Sequence, residues 1–219
     1  MISRFVLIYT RFERFWHWMQ MALIFMLMFT GFAIHGIHHW VSFSTAVTLH
    51  TICALLLILL WIFAIFWHFT TGTWKHYIPT RNGIIKVARF YFYGIFKGER
   101  HPYRKAYWRK HNPLQALAYL SLKLMLFPVI WVSGLLYLLY FVWRDHPQAA
   151  DWLYGIAMIH TGAAYALLVF VVVHVYMLTT GHSFVEHLRP MFNGFDEIEL
   201  SAEEEAYLLR DQPSHIRSV

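Results

Sequence analysis

The segment Trp152-Leu-Tyr-Gly-Ile-Ala-Met-Ile-His160-Thr-Gly-Ala-Ala-Tyr-Ala-Leu-Leu-Val-Phe-Val-Val-Val-His174-Val-Tyr-Met-Leu-Thr-Thr180 carries no Lys, Arg, Asp or Glu, and its two histidines stand 14 residues apart. A helix crosses a bilayer with about 20 mostly apolar residues, so the segment reads as a membrane span with an imidazole towards each end. Fourteen residues at about 100° each fall about 40° short of four turns, which puts both imidazoles on nearly one face, about 21 Å apart along the axis. One helix thus offers one imidazole to each of two sites stacked across the membrane.

Three more stretches have the same character: Phe15 to Ile34, Thr45 to Phe69, and Pro113 to Val142, with Lys123 as the single charged residue among them. In chain order they are spans I, II and III, and the quoted segment is span IV. The expected fold class is an all-α membrane protein, a bundle of four transmembrane helices. Composition agrees, because 14% of the 219 residues are charged and 58% are hydrophobic, whereas a soluble domain carries about 25% charged residues. Disorder and nucleic-acid binding by a basic soluble domain are both excluded. The single cysteine, Cys53, excludes a disulfide framework, a Cys-ligated iron–sulfur cluster and a Cys-x-x-Cys-His haem attachment. Arg4, Arg11 and Arg14 precede span I, but no Ala-x-Ala cleavage site follows it, so span I is read as a retained helix.

Orientation follows from where the Lys and Arg residues lie. The segment between spans II and III holds ten of them (Lys75, Arg81, Lys86, Arg89, Lys97, Arg100, Arg104, Lys105, Arg109 and Lys110), the I–II connection none, and the III–IV connection only Arg144. Both termini and residues 70–112 are therefore expected in the cytoplasm. Within that segment Gly83 to Gly98 mixes bulky apolar residues with Lys and Arg, the pattern of a helix lying in the headgroup plane. Its second half, Glu99 to His111, reads equally as a solvated basic loop. The expected division is a membrane domain over 1–182 and a short acidic cytoplasmic tail over 183–219, marked by Asp196, Glu197, Glu199 and Glu203 to Glu205.

Ionisable residues inside a membrane mark function, and 15 histidines need placing. With this orientation His17 and His174 lie at the inner level and His50 and His160 at the outer one. Gly31, 14 residues after His17, reaches the outer level with no side chain, so a flat macrocycle has room to lie against it. Neutral imidazoles paired on facing helices, with no carboxylate nearby, suit haem iron held from both sides better than a hard cation. His35 and His68 share helix faces with His17 and His50 and are the competing ligands. His38, His39, His76, His101, His111, His146, His182, His187 and His215 fall in connections or the tail.

Arg14-Phe-Trp-His17-Trp opening span I, His50 early in span II, Lys110-His-Asn112-Pro-Leu-Gln115 before span III, and Ile159-His160 with His174-Val-Tyr176 in span IV resemble the dihaem cytochrome b subunits of membrane-bound formate dehydrogenase, nickel–iron hydrogenase and thiosulfate reductase. The resemblance spans roughly residues 10 to 182. It implies two b-type haems, with His17 and His174 on the inner iron and His50 and His160 on the outer one. It also implies a quinone pocket at Asn112 and Gln115, where Pro113 and Leu114 replace small residues. Lys123 is a further departure, read as a partner of a haem propionate or as reaching the inner surface, ahead of a part in quinone proton transfer.

The implied function is the membrane-anchoring subunit of a respiratory oxidoreductase complex in the cytoplasmic membrane of a bacterium or archaeon. An outer-face iron–sulfur or multihaem partner exchanges electrons with the outer haem, and menaquinone or ubiquinone reacts near the inner one. Substrate catalysis belongs to another subunit, since this chain shows no nucleophile, metal cluster or nucleotide loop. Two alternatives stand beside it. A stand-alone b561-type protein passes electrons, for example from superoxide, to quinone without a partner. A non-haem di-iron membrane oxygenase would use His35-Gly-Ile-His38-His39 as one of its histidine boxes.

Overall fold

The computed structural model describes residues 2–80, 83–99, 102–103, 110–179 and 184–217. Arg81, Arg100, His101, Arg104, Lys105, Arg109 and His182 lie outside the described residues, as does the side chain of His187. Four helices are long and apolar enough to cross a membrane: Arg11–Ile34, Phe43–Thr71, Pro113–Leu138 and Ala149–Leu178. They are helices I to IV below. At about 1.5 Å per residue, even the shortest, at 24 residues, outreaches a hydrocarbon core of about 30 Å.

The chain divides into two units, one made of Met1–Phe15, Thr71–Leu120 and Tyr176–Val219, the other of Trp16–Thr70 and Ser121–Val175. The second unit is the helical one. Its core draws on all four helices: Ile24 from I, Leu57 and Trp61 from II, Leu122 and Phe127 from III, and Leu167 from IV. Small residues, Ala33, Ala46, Ala64 and Ala163, are also buried there, as close packing of membrane helices requires. Phe63, Phe66, Met125, Val169 and Val172 face outward, an apolar exterior that matches lipid. Helix I stops at Gly36, whose positive φ of 71° lets Gly36 N–H reach Ala33 O and Ile37 N–H reach Phe32 O, the pair of bonds that closes a helix through a glycine. Helix III breaks after Leu138, short of the expected Val142, and a separate turn covers Tyr140–Trp143.

Inside helix III, Leu122–Leu126 form a π turn in which Phe127 N–H bonds Leu122 O, five residues back. Pro128 follows at once. Its ring would press on the carbonyl four residues earlier in a regular helix and it has no N–H to offer, and a widened turn relieves the clash.

The first unit contains a sheet absent from the sequence reading. Strand β1, Ile2–Leu7, pairs antiparallel with both β2, Phe195–Leu200, and β3, Ile216–Arg217, giving the order β2-β1-β3. The acidic segment therefore carries ordered structure: β2, a helix over Ala202–Asp211 and β3. Val6, Ile8, Ile198, Leu200, Leu208 and Ile216 form the core, with Tyr9 against it. Arg4 Nε donates to Glu205 at 2.7 Å and Ser3 Oγ to Glu197 at 2.5 Å. Gly194 sits at the turn into β2 with φ 90°; a Cβ there would stand 2.6 Å from Tyr9 O.

Three helices begin on reciprocal caps. At helix I, Glu13 N–H donates to Thr10 Oγ1 and Thr10 N–H to Glu13 Oε2; at Ala202–Asp211, Ser201 and Glu204 do the same. At helix III the pair is Asn112 and Gln115, with Pro113 in the first helical position. Glu13 also takes Lys110 Nζ at 2.6 Å, both side chains being under a tenth exposed. Between Gly83 and Gly98 the chain forms a helix over Ile84–Phe92 and a 3-10 turn over Gly94–Lys97.

Removing one partner of a buried ion pair strands the other charge and costs about 3–5 kcal/mol, whereas replacing both by apolar or neutral groups costs little. Lys110→Ala is therefore expected to lower the thermal stability of the detergent-solubilised chain by that order. The double variant Glu13→Gln/Lys110→Met is expected to recover most of the loss in the same melting experiment.

Candidate functional site

In the helical unit, helix I brings His17 to His174 of helix IV with ring centres 6.4 Å apart and planes at 52°. Helix II brings His50 to His160 of helix IV at 6.3 Å and 71°. A metal bound in line to two imidazole nitrogens at about 2.0 Å, each nitrogen about 1.1 Å in front of its ring centre, holds the centres about 6.2 Å apart. Both pairs match that span.

Hydrogen bonds set the tautomer at the second pair. Thr30 Oγ1 spends its single proton on Met26 O, at 2.8 Å, so it accepts from His50 Nδ1 at 2.9 Å. Ser133 Oγ gives its proton to Val129 O at 2.7 Å and accepts from His160 Nδ1 at 3.0 Å, with Ile130 O a second acceptor at 3.1 Å. Both Nδ1 atoms therefore carry the proton, and both Nε2 atoms keep a lone pair for a metal, the orienting arrangement common around ligating histidines. Glycine keeps space for one of these rings: a Cβ on Gly134 would stand 3.1 Å from His160 Cε1, whereas one on Gly31 would make ordinary contact, 3.7 Å, with His50 Cε1.

The first pair is held by aromatic contacts. Phe170, one turn before His174, stacks on it with planes 11° apart, and Trp18 meets His17 edge-on at 5.3 Å. His17 Nδ1 is buried with no partner. The donor set at each pair, two neutral imidazoles and no carboxylate, fits a haem iron held from both faces.

Of the two competing histidines, His68 is engaged elsewhere. His68 Nδ1 bonds Ala64 O at 2.5 Å and its ring lies edge-on to Trp16. His35 is exposed at the end of helix I, within electrostatic reach of both His50 and His160. His38 Nε2 bonds Phe29 O and its ring stacks on Phe29, while His39 is exposed. Among the described residues no three His, Cys, Asp or Glu side chains converge on a metal position, so the His-x-x-His-His stretch assembles no di-iron site there. His146 stacks on Trp152 at 4.1 Å.

Asn112 and Gln115 belong to the other unit. Asn112 Oδ1 accepts Gln115 N–H at 2.8 Å and Gln115 Oε1 accepts Asn112 N–H at 3.2 Å, so the Asn-x-x-Gln spacing does a helix-capping job. Asn112, 5% exposed, also donates through Nδ2 to the Tyr91 hydroxyl at 3.1 Å. Burial pushes the Tyr91 phenol up, and the Asn112 bond works against that. In the helical unit, Lys123 lies in the π turn with its ammonium 5.2 Å from the centre of the Trp16 ring.

Sequence reasoning missed Thr30, Ser133 and Gly134. A hydroxyl followed by glycine in an apolar span, Thr30-Gly31 and Ser133-Gly134, was the available signal. It is not selective, because Thr161-Gly162 repeats it with nothing within 4 Å of the glycine's Cβ position.

A family model described as prokaryotic cytochrome b561 matches residues 8–194. The provisionally named cytochrome YdhU of Escherichia coli (strain K12) is 29% identical over 200 residues, which cover 87% of this chain and 74% of that protein. No solved structure matches.

Loss of an orienting partner costs a metal ligand about 10–100-fold in affinity. Thr30→Val and Ser133→Ala are each expected to weaken metal-group retention at the His50/His160 pair, towards the lower end of that range because the Leu27 and Ile130 carbonyls remain as acceptors. Gly134→Ala is expected to displace the His160 ring and lower occupancy of the same pair. Quantifying bound group per chain in purified variants checks both.

Proposed function

Because the chain belongs to the prokaryotic cytochrome b561 family, and is thus a multi-pass membrane haem protein of electron transfer, we propose that it is the dihaem membrane-anchoring subunit of a respiratory oxidoreductase complex. The observation that carries this reading is the pair of His–His separations, 6.4 and 6.3 Å, each the span an iron between two imidazoles needs. Haem bound there supplies a one-electron couple with no open coordination position. His17 and His174 hold the inner site and His50 and His160 the outer one, and the two imidazoles of helix IV tie both sites to one rigid element.

The Lys and Arg distribution supports placing the termini and residues 70–112 on the cytoplasmic side of the cell membrane. The exposed Ile85, Phe92 and Phe96 beside Lys86, Arg89 and Lys97 support a segment resting on the headgroups. The proposed electron partner is an outer-face iron–sulfur or multihaem subunit, with substrate chemistry in a further subunit. Menaquinone or ubiquinone is the proposed second substrate. Its conversion to quinol takes two electrons and two protons, and the Asn112 amide and Tyr91 phenol are neutral donors suited to a quinone carbonyl.

In a reductive titration the wild-type chain is expected to show two b-type components in the α band. His174→Ala is expected to remove one component and leave the other reducible; unchanged haem content rejects the assignment. Asp caps a helix as well as Asn does, so Asn112→Asp removes the amide donor without removing the cap. It is expected to slow quinone turnover several-fold with the haem spectrum intact. Purification from native membranes distinguishes a complex subunit, which brings partners with it, from a stand-alone protein with full quinone reactivity.

A further inference from the structure

Three indoles form a row through the core between the two histidine pairs. Trp16 of helix I meets Trp61 of helix II edge-on, ring centres 5.9 Å apart, and Trp61 meets Trp131 of helix III edge-on at 5.3 Å. Phe127 adds a ring 4.4 Å from Trp61 and 6.1 Å from Trp131. Trp61 is buried with Ile24, Leu57, Leu122 and Leu167, and Leu167 lies midway between His160 and His174 on helix IV. The Nε1 atoms of all three indoles are buried, with no hydrogen-bond partner among the described residues. An indole N–H only donates, and an unmet buried donor costs stability that phenylalanine or leucine would not incur. Three such costs along one row call for a reason beyond packing.

The two ends of the row lead to the two sites. Trp16 is joined through the backbone to His17. Trp131 follows Ile130, whose carbonyl is an acceptor 3.1 Å from His160 Nδ1. From His17 to His160 the route leaves covalent bonds only at two ring contacts and that hydrogen bond. Along helix IV the passage from His174 to His160 takes about four turns of backbone. Electron tunnelling weakens exponentially with distance, and less steeply through touching π systems than through σ bonds, so the row is the better-coupled path.

We infer that Trp16, Trp61 and Trp131 couple the two haem sites electronically, with Trp61 as the link between helices I and III, and so set the rate at which an electron crosses the bundle. The inference rests on the dihaem reading above. One iron goes from ferrous to ferric as the other goes from ferric to ferrous. The indoles are neither oxidised nor reduced; their π orbitals carry the coupling, and no proton moves.

The test follows equilibration between the two haems in the full-length detergent-solubilised chain after flash photoreduction by a soluble flavin. It is read as the concentration-independent exchange between two α-band components, beside a redox titration and the haem content per chain. In Trp61→Leu equilibration slows several-fold while both midpoint potentials and the haem content stay at wild-type values, which leaves electronic coupling as the quantity changed. Trp61→Phe keeps a ring and slows it less; Trp131→Leu slows it as Trp61→Leu does. Trp152→Leu, near the start of helix IV and outside the row, leaves the rate at wild type. Should Trp61→Leu fail to hold haem, Trp61→Phe and Trp131→Leu decide. An unchanged rate in variants that keep both haems, or a slower rate fully matched by a shifted potential, overturns the inference and leaves the dihaem reading intact. A wild-type chain without two b-type components overturns the dihaem reading first, and this inference with it.

Discussion

An imidazole N–H buried among apolar helices is costly unless the protein provides an acceptor, because the surrounding medium has none. At His50 and His160 that requirement selects the tautomer, aims the opposite nitrogen, and recruits Thr30 and Ser133, hydroxyls already bonded to their own helices. The glycine after Ser133 leaves His160 room. The geometry of the second pair thus follows from a local accounting of protons and acceptors.

The four spans were legible because hydropathy over about 20 residues is a strong signal that no other feature of the chain imitates. The depth expected for each histidine came from helical rise together with the Lys and Arg distribution. Helix I nevertheless starts a turn earlier than hydropathy suggests, at Arg11, since the Thr10/Glu13 cap admits charged residues to its first turn. Helix III ends earlier than expected for a backbone reason at Leu139, which no hydropathy window reports.

Short-range polar chemistry was harder to read. The Asn-x-x-Gln element at 112–115 supports two meanings, a helix start and a ligand pocket, and only coordinates reveal how many of its hydrogen bonds the helix consumes. Thr30 and Ser133 were hidden because isolated hydroxyls in apolar spans usually bond their own backbone, and these do that as well. The sheet was invisible for a different reason. β1 and β2 are each six residues long and lie at opposite ends of the chain, and the charges of β2 read as a solvated tail although Ile198 and Leu200 point inward from between them.

That sheet also dictates an order of events during synthesis. β1 precedes the first membrane helix, yet both of its partners follow the fourth. Until all four helices have been translated, β1 is a strand with two open edges, a liability that proteins avoid exposing for long. Pairings this distant in sequence are slow to close. Closure of β2 and β3 around β1 is therefore a late biogenesis step, which only a chain translated past its last span can complete.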